Sequence, residues 1–324
     1  ISSGGTANAT VISSGGVEVI SSGGTATNVS QLSGGVLSAA IGSGIGAFVS
    51  GTNPSGSFLI SGTQASNVVL YNSGILAISS GGTATSTSIR SGGSQTIASG
   101  GIANATIVSS GGVEIISSGG IANATVISNG GAQIISSGGT ASATTVSNGA
   151  VLDITNGGIA NATIVSSGGR ERIFSGGTAN ATIVSNGGAQ IIFSGGTASA
   201  TTVNSGGSQT ISSGGTANAT VISSGGVEVI SSGGTATNVS QLSGGVLSAA
   251  IGSGIGAFVS GTNPSGSFLI SGTQASNVVL YNSGILAISS GGTATSTSIR
   301  SGGSQTIASG GIANATIVSS GGVE

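Results

Sequence analysis

The sequence predicts an all-β fold, a parallel β-helix of stacked coils, and three observations carry that prediction. Gly-Gly pairs begin at Gly81, Gly92, Gly100, Gly111, Gly119, Gly130 and Gly138, alternating by eleven and eight residues, so the chain repeats every nineteen. A fixed period near twenty, punctuated by turn residues, marks a solenoid whose coils bury a core only by stacking. Val and Ile hold fixed places in that period, and a mean hydropathy of +0.47 is too high for a solvated linker despite 65 glycines in 324 residues. Disordered or silk-like chains lack such columns. Residues 1–114 also recur unchanged as residues 211–324, defining a larger unit of 210 residues. Amphipathic helices are excluded, because each would be broken by the next Gly-Gly pair.

Residues 4–22 serve as a reference coil. Its Gly-Gly pairs mark corners, where glycine reaches positive φ without steric cost. The Ala7 position is Ala in every regular coil, the Thr10 position is nearly always Thr, and Ile12 is matched by Val or Ile. Strand side chains alternate between faces, so Thr10 and Ile12 point inward and the variable Val11 column, with Ser88 and Thr145, points outward. In the next strand Ile20 and Glu18 share the inner face, while Val17 and Val19 point away. Arg170, Arg172 and Asp153 all take outward columns beside Ile173 and Ile154. The expected core is therefore Ala7, Thr10, Ile12, Ile20, Ile116, Ile135, Ile154, Ile173 and Ile192. The Glu18 column mixes Gln95, Glu114, Gln133, Glu171, Gln190 and Gln209 with Leu76 and Leu152, which reads as a half-buried edge of stacked amides. Outward Val17, Val19, Ile115, Ile134 and Ile191 make an apolar stripe. About 17 coils, each a step of about 4.8 Å, give one continuous segment over 1–324, on the order of 80 Å long.

The rhythm loosens over 36–75 and again over 246–285. Gly23 to Gly81 spans 58 residues, three periods plus one. Within that interval Phe48 and Phe58 flank Thr52-Asn53-Pro54-Ser55-Gly56, the pattern of a type I turn. It predicts a protruding β-hairpin, repeated around Phe258, Pro264 and Phe268. Two readings stand for it, an accommodated insertion or a lateral contact. The candidate contact residues are Phe48, Pro54, Phe58, Phe258, Pro264, Phe268, Asp153, Arg170 and Arg172.

Little else carries chemistry. The chain has no Cys or His, and a net charge of −2 gives no basis for nucleic-acid binding. A carbohydrate-active β-helix would need clustered carboxylates, but Glu18 and Glu114 lie five coils apart and Asp153 has only Glu171 and Arg neighbours. Calcium-binding solenoids carry an Asp in every copy, which this chain does not, so no metal or cofactor is expected. Asn-Ala-Thr recurs at Asn8, Asn104, Asn123, Asn161 and Asn180, but its Thr belongs to the inward column. No apolar run reaches the roughly 18 residues of a membrane helix. Both ends fall mid-repeat, as in a window from a longer array.

Ser80-Gly81-Gly82-Thr83-Ala84-Thr85, Gly139-Thr140-Ala141-Ser142-Ala143-Thr144-Thr145-Val146 and Gly24-Thr25-Ala26-Thr27-Asn28-Val29 resemble the nineteen-residue repeat of AIDA-type autotransporter adhesins. Gly46-Ala47-Phe48 and Asn67-Val68-Val69-Leu70 extend the resemblance through the interruption. It implies a right-handed parallel β-helix passenger, secreted through an outer-membrane β-barrel outside this chain and displayed on a Gram-negative cell. It also implies a non-enzymatic surface adhesin acting in self-association, biofilm or filament formation, with heptose on Ser and Thr. Its expected partners are copies of itself and a carbohydrate or host surface. Scarce charge and the perfect 210-residue copy depart from the family pattern. The apolar stripe then becomes the expected contact. A carbohydrate-active enzyme and a passive spacer stalk are the alternatives.

Overall fold

The computed structural model describes all residues except 22, 33, 34, 40–47, 54–56, 63, 232, 243, 250–257, 264–266, 272 and 273. The chain is a parallel β-solenoid in two units, Ile1–Thr163 and Ile164–Glu324. In both, every strand pairing among the described residues is parallel, at a register shift of nineteen outside the interruptions.

One coil shows why the sequence bends as it does. Ile121–Asn123 and Val126–Ile127 lie in a first sheet and Ala132–Ile135 in a second. Between the first two strands Ala124 takes φ 55°, a left-handed bend without glycine. Such a residue costs about 1–2 kcal/mol, set against the sheet pairing on either side. The corner Ser128-Asn129-Gly130-Gly131 is a type I′ turn, with φ 49° at Asn129, 75° at Gly130 and Gly131 N–H donating to Ser128 O at 2.9 Å. Its two glycines answer different needs. Gly130 supplies the positive φ; a Cβ on Gly131 would lie 2.7 Å from the Val108 carbonyl oxygen of the coil beside it.

Inside, Ile116, Ile135 and Ile154 are fully buried in the first unit, as are Ile173 and Ile192 in the second. Ile12 and Ile20 are buried as well. Ala7 and Thr10 are only half-buried, because no coil covers the first one; their successors Ala26, Ala103, Thr106 and Thr125 are buried. Each unit contributes eight strands to the second sheet, from Val17–Ile20 to Val151–Ile154 and from Arg170–Ile173 to Ser304–Ile307. These sixteen, with a bridge from Ser304 to Val323 starting one more, fall slightly below the seventeen coils expected from length. The interruptions add only one residue each, and the last coil is represented in this sheet by that bridge alone.

Among the described residues, the two strands expected to form the hairpin pair with other coils and not with each other. Phe48–Asn53 pairs with Thr25–Gln31, Gln64–Ser66 and Val69–Leu70 in the first sheet. Ser57–Ser61 pairs with Val36–Ala39 and Ile75–Ser79 in the second. The two strands lie in different sheets; residues 54–56 and 264–266 between them, with Pro54 and Pro264, fall outside the described residues. The extra residue enters elsewhere: Thr25 pairs with Phe48 twenty-three residues on, and Phe48 with Gln64 sixteen on, together one more than two periods. The register also slips between Ala26 and Val29, whose partners Val49 and Gly51 are one residue closer together. The coil at 48–53 therefore skips the left-handed bend that Asn28 supplies in its neighbour. The second interruption repeats both features.

Candidate functional site

Two surfaces could carry function, the column of polar side chains inside and the columns outside. The inner one departs from the half-buried edge expected at Glu18. Gln95, Glu114 and Gln133 in the first unit, and Glu171, Gln190, Gln209 and Glu228 in the second, are completely enclosed. The sequence mixed Gln and Glu with Leu there because the site is a core; most of its polar members bond to one another and to the buried Thr file, while Glu228 does not.

The contacts follow a polarity along the coils. Gln133 Nε2 donates to Glu114 Oε2 at 2.6 Å, Gln190 Nε2 to Glu171 Oε2 at 2.7 Å and Gln209 Nε2 to Gln190 Oε1 at 2.6 Å, each toward the preceding coil. Thr125, Thr182, Thr201 and Thr220 donate their hydroxyls to the Glu or Gln eleven residues earlier, at 2.9–3.1 Å. Thr87, Thr163 and Thr297 instead follow Leu76, Leu152 and Leu286, and their buried hydroxyls have no partner. Gln95 reverses direction, because the coil before it offers only Leu76. Its Nε2 donates forward to Glu114 Oε1 at 2.9 Å and to Thr106 Oγ1 at 3.1 Å, leaving its Oε1 unpartnered. In the interrupted coils both partners turn apolar together, Leu37 beside Val29 and Leu76 beside Val68.

Burial raises the carboxyl groups of Glu114 and Glu228 above the usual Glu value. At Glu114 desolvation is opposed by hydrogen bonds from Gln133, Thr106, Thr125 and Gln95. At Glu228 desolvation drives the value up to about 8, with only Thr220 opposing it. None of these acids opens to solvent, so none is placed to work on an external substrate. Among the described residues no three His, Cys, Asp or Glu side chains gather as metal ligands. A depression of about 370 Å³ at the first coil is lined by Ile1, Thr10, Ile12 and Glu18. It is the uncovered cross-section of that coil.

Outside, the most exposed apolar columns lie on the first sheet. Ile107 is 51% exposed and Val126 41% in the first unit; Ile164 is 45% and Ile183 42% in the second. Ile121 and Ile159 flank them across a column of Asn, where Asn123 Nδ2 donates to Asn104 Oδ1 at 3.0 Å. The stripe expected on the second sheet is weaker. Val17 and Val19 are exposed on the first coil, whereas Ile115, Ile134 and Ile191 are half-buried. The variability of the Val11 column, which held these aliphatics beside Ser and Thr, hid the stronger patch.

The remaining candidates belong to both units. Asp153 is half-buried in the first unit; Arg170 is exposed and Arg172 half-buried in the second. The Arg172 guanidinium sits 5.7 Å from the centre of the Phe174 ring, which stacks on Phe193 at 4.7 Å and 3°. This aromatic pair escaped sequence reading, although its nineteen-residue spacing at one corner column was visible. Phe48 takes the register of Thr25 and Gln64, whereas Phe58 takes that of the buried Leu37 and Leu76. Phe258 and Phe268 repeat these registers beside Thr235 and Leu247.

Comparison with known proteins adds three findings. A family described as "Adhesin of bacterial autotransporter system, probable stalk" matches residues 50–112, 116–169, 154–207 and 260–322, more than half of the chain. A solved structure, the TibC-catalyzed hyper-glycosylated TibA55-350 fragment, is 31% identical with a TM-score of 0.67, covering 99% of this chain and 100% of that one. No curated protein matches.

Proposed function

The chain belongs to the family of autotransporter adhesin stalks, and from that premise we propose that it is a non-enzymatic length of cell-surface stalk that associates laterally with copies of itself. The observation that carries this reading is the outward, uncharged patch of the first sheet in each unit, around Ile107 and Val126 in the first and around Ile164 and Ile183 in the second. Exposed aliphatics at regular spacing suit contact between copies that present the same spacing. On a Gram-negative surface such contacts would join cells into aggregates, biofilm or filaments, with the outer-membrane anchor lying outside this chain. A carbohydrate or host surface is the second kind of partner proposed. The enclosed carboxylates argue for a stalk over a carbohydrate-active enzyme. The sugar carried by the TibA fragment suggests the same modification here. Exposed corner hydroxyls such as Ser118 and Ser137 are its accessible acceptors.

The test replaces Ile107, Val126, Ile164 and Ile183 together with Lys. Far-UV circular dichroism should stay unchanged while sedimentation velocity shows the associated species lost and displaying cells stop clumping. Unchanged association would place the contact away from these columns, and no association by the unsubstituted chain would return it to a passive spacer.

A further inference from the structure

We propose that Glu228 is an acid-set clamp, a buried carboxyl that holds its coil against its neighbours when protonated and loosens them when it loses the proton. The inference starts from a full accounting of donors. Glu228 lies in Val227–Ile230, with no exposure and with both carboxyl oxygens unpartnered. The coil before it presents Gln209, whose Nε2 donates away from it to Gln190 Oε1. The coil after it presents Leu247, which has nothing to donate. On its own coil Thr220 has given its hydroxyl hydrogen to Gln209 Oε1 at 3.0 Å. No charged or titratable side chain from any of these elements opposes it.

A carboxylate in that setting competes with Gln209 for its one nearby donor, the Thr220 hydroxyl, and an unpaired charge is the costliest group to enclose. The protonated acid does better, because its own O–H can be donated to the free lone pair of Thr220. The neutral form leaves a carbonyl oxygen rather than a charge without a donor.

The direction with pH follows from linkage. The folded group keeps its proton up to about pH 8, whereas the unfolded one releases it near the usual Glu value of 4.5. The stabilisation is therefore whole below the unfolded value and is lost progressively as pH rises through the folded one. The coils around Glu228 tighten in acid and are loosest on the alkaline side. Glu18 carries the same following sequence and pairs with Leu37 of the next coil, but it is only partly enclosed.

The test is amide hydrogen exchange in the whole chain at Val227, Val229 and Ile230 from pH 5 to 9, corrected for intrinsic base catalysis. The opening equilibrium should rise about tenfold per pH unit up to pH 8 and level off above it. In Glu228→Gln the profile should be flat. Glu228→Leu, which matches the residue of the next coil, serves should the Gln variant fold poorly. A flat profile in the unsubstituted chain, or an unchanged slope in both variants, would overturn the proposal.

Discussion

Glu114 and Glu228 occupy the same column, each enclosed and each beside a Thr of its own coil, yet their surroundings are opposite in kind. Glu114 stands between Gln95 and Gln133, and the amides of both, with the Thr125 hydroxyl, converge on its oxygens. Glu228 stands between Gln209 and Leu247 and receives nothing. The difference is one of polarity. Glutamines in this column donate toward the preceding coil, so an acid that precedes a Gln is satisfied and an acid that follows one is not. A Leu behind a Gln, as at Leu76, turns the amide round and rescues the acid ahead of it. What a column residue does is thus decided one coil away.

The contrast can be broken most severely through the aliphatic core that both regions share. Ile135→Asp places an unpaired charge where none can be hydrated, and should cost more than about 4 kcal/mol and abolish the cooperative urea transition of its coils. Survival of a native-like transition would mean the facing of this column is wrong. A smaller effect separates satisfied from orphaned Thr. Thr125→Val strips Glu114 of a donor and should cost about 1–3 kcal/mol, whereas Thr87→Val removes a hydroxyl without a partner and should be neutral or stabilising by about 1 kcal/mol. Equal losses by thermal denaturation would show that the ladder does not discriminate between them. The smallest change is expected outside, where Arg172→Ala, giving up its place over Phe174, should stay within about 0.5 kcal/mol.

Much of the solenoid was legible in the sequence because its spacing and parity are one-dimensional. Gly-Gly pairs fixed the corners, and the constancy of Ile20, Ile116 and Ile135 against the variability at Val11 separated inside from outside. The polar column was harder. Gln and Glu at Gln95, Glu114 and Gln133 look amphipathic singly, and their enclosure follows only from the Thr file facing them across the coil. The bend at Ala124 was hidden as well, since left-handed Ala is disfavoured locally and is held here by pairing to coils on either side. The interruption misled for a related reason. Asn53-Pro54-Ser55-Gly56 has the local chemistry of a reversing turn, but the flanking strands gain more by pairing in parallel with neighbouring coils. At the outer surface, column variability disguised the exposure of Ile107, Ile164 and Ile183.

The central claim is that the polarity of the inner ladder sets the state of each buried acid. One comparison tests it most directly, thermal denaturation of Glu114→Gln and Glu228→Gln at pH 8. The first substitution turns a hub of acceptors into an amide that meets three incoming donors with an N–H of its own, and should lower the melting temperature. The second removes an acid without donors, and should raise it. Shifts of opposite sign are the predicted result; shifts of the same sign would contradict the account.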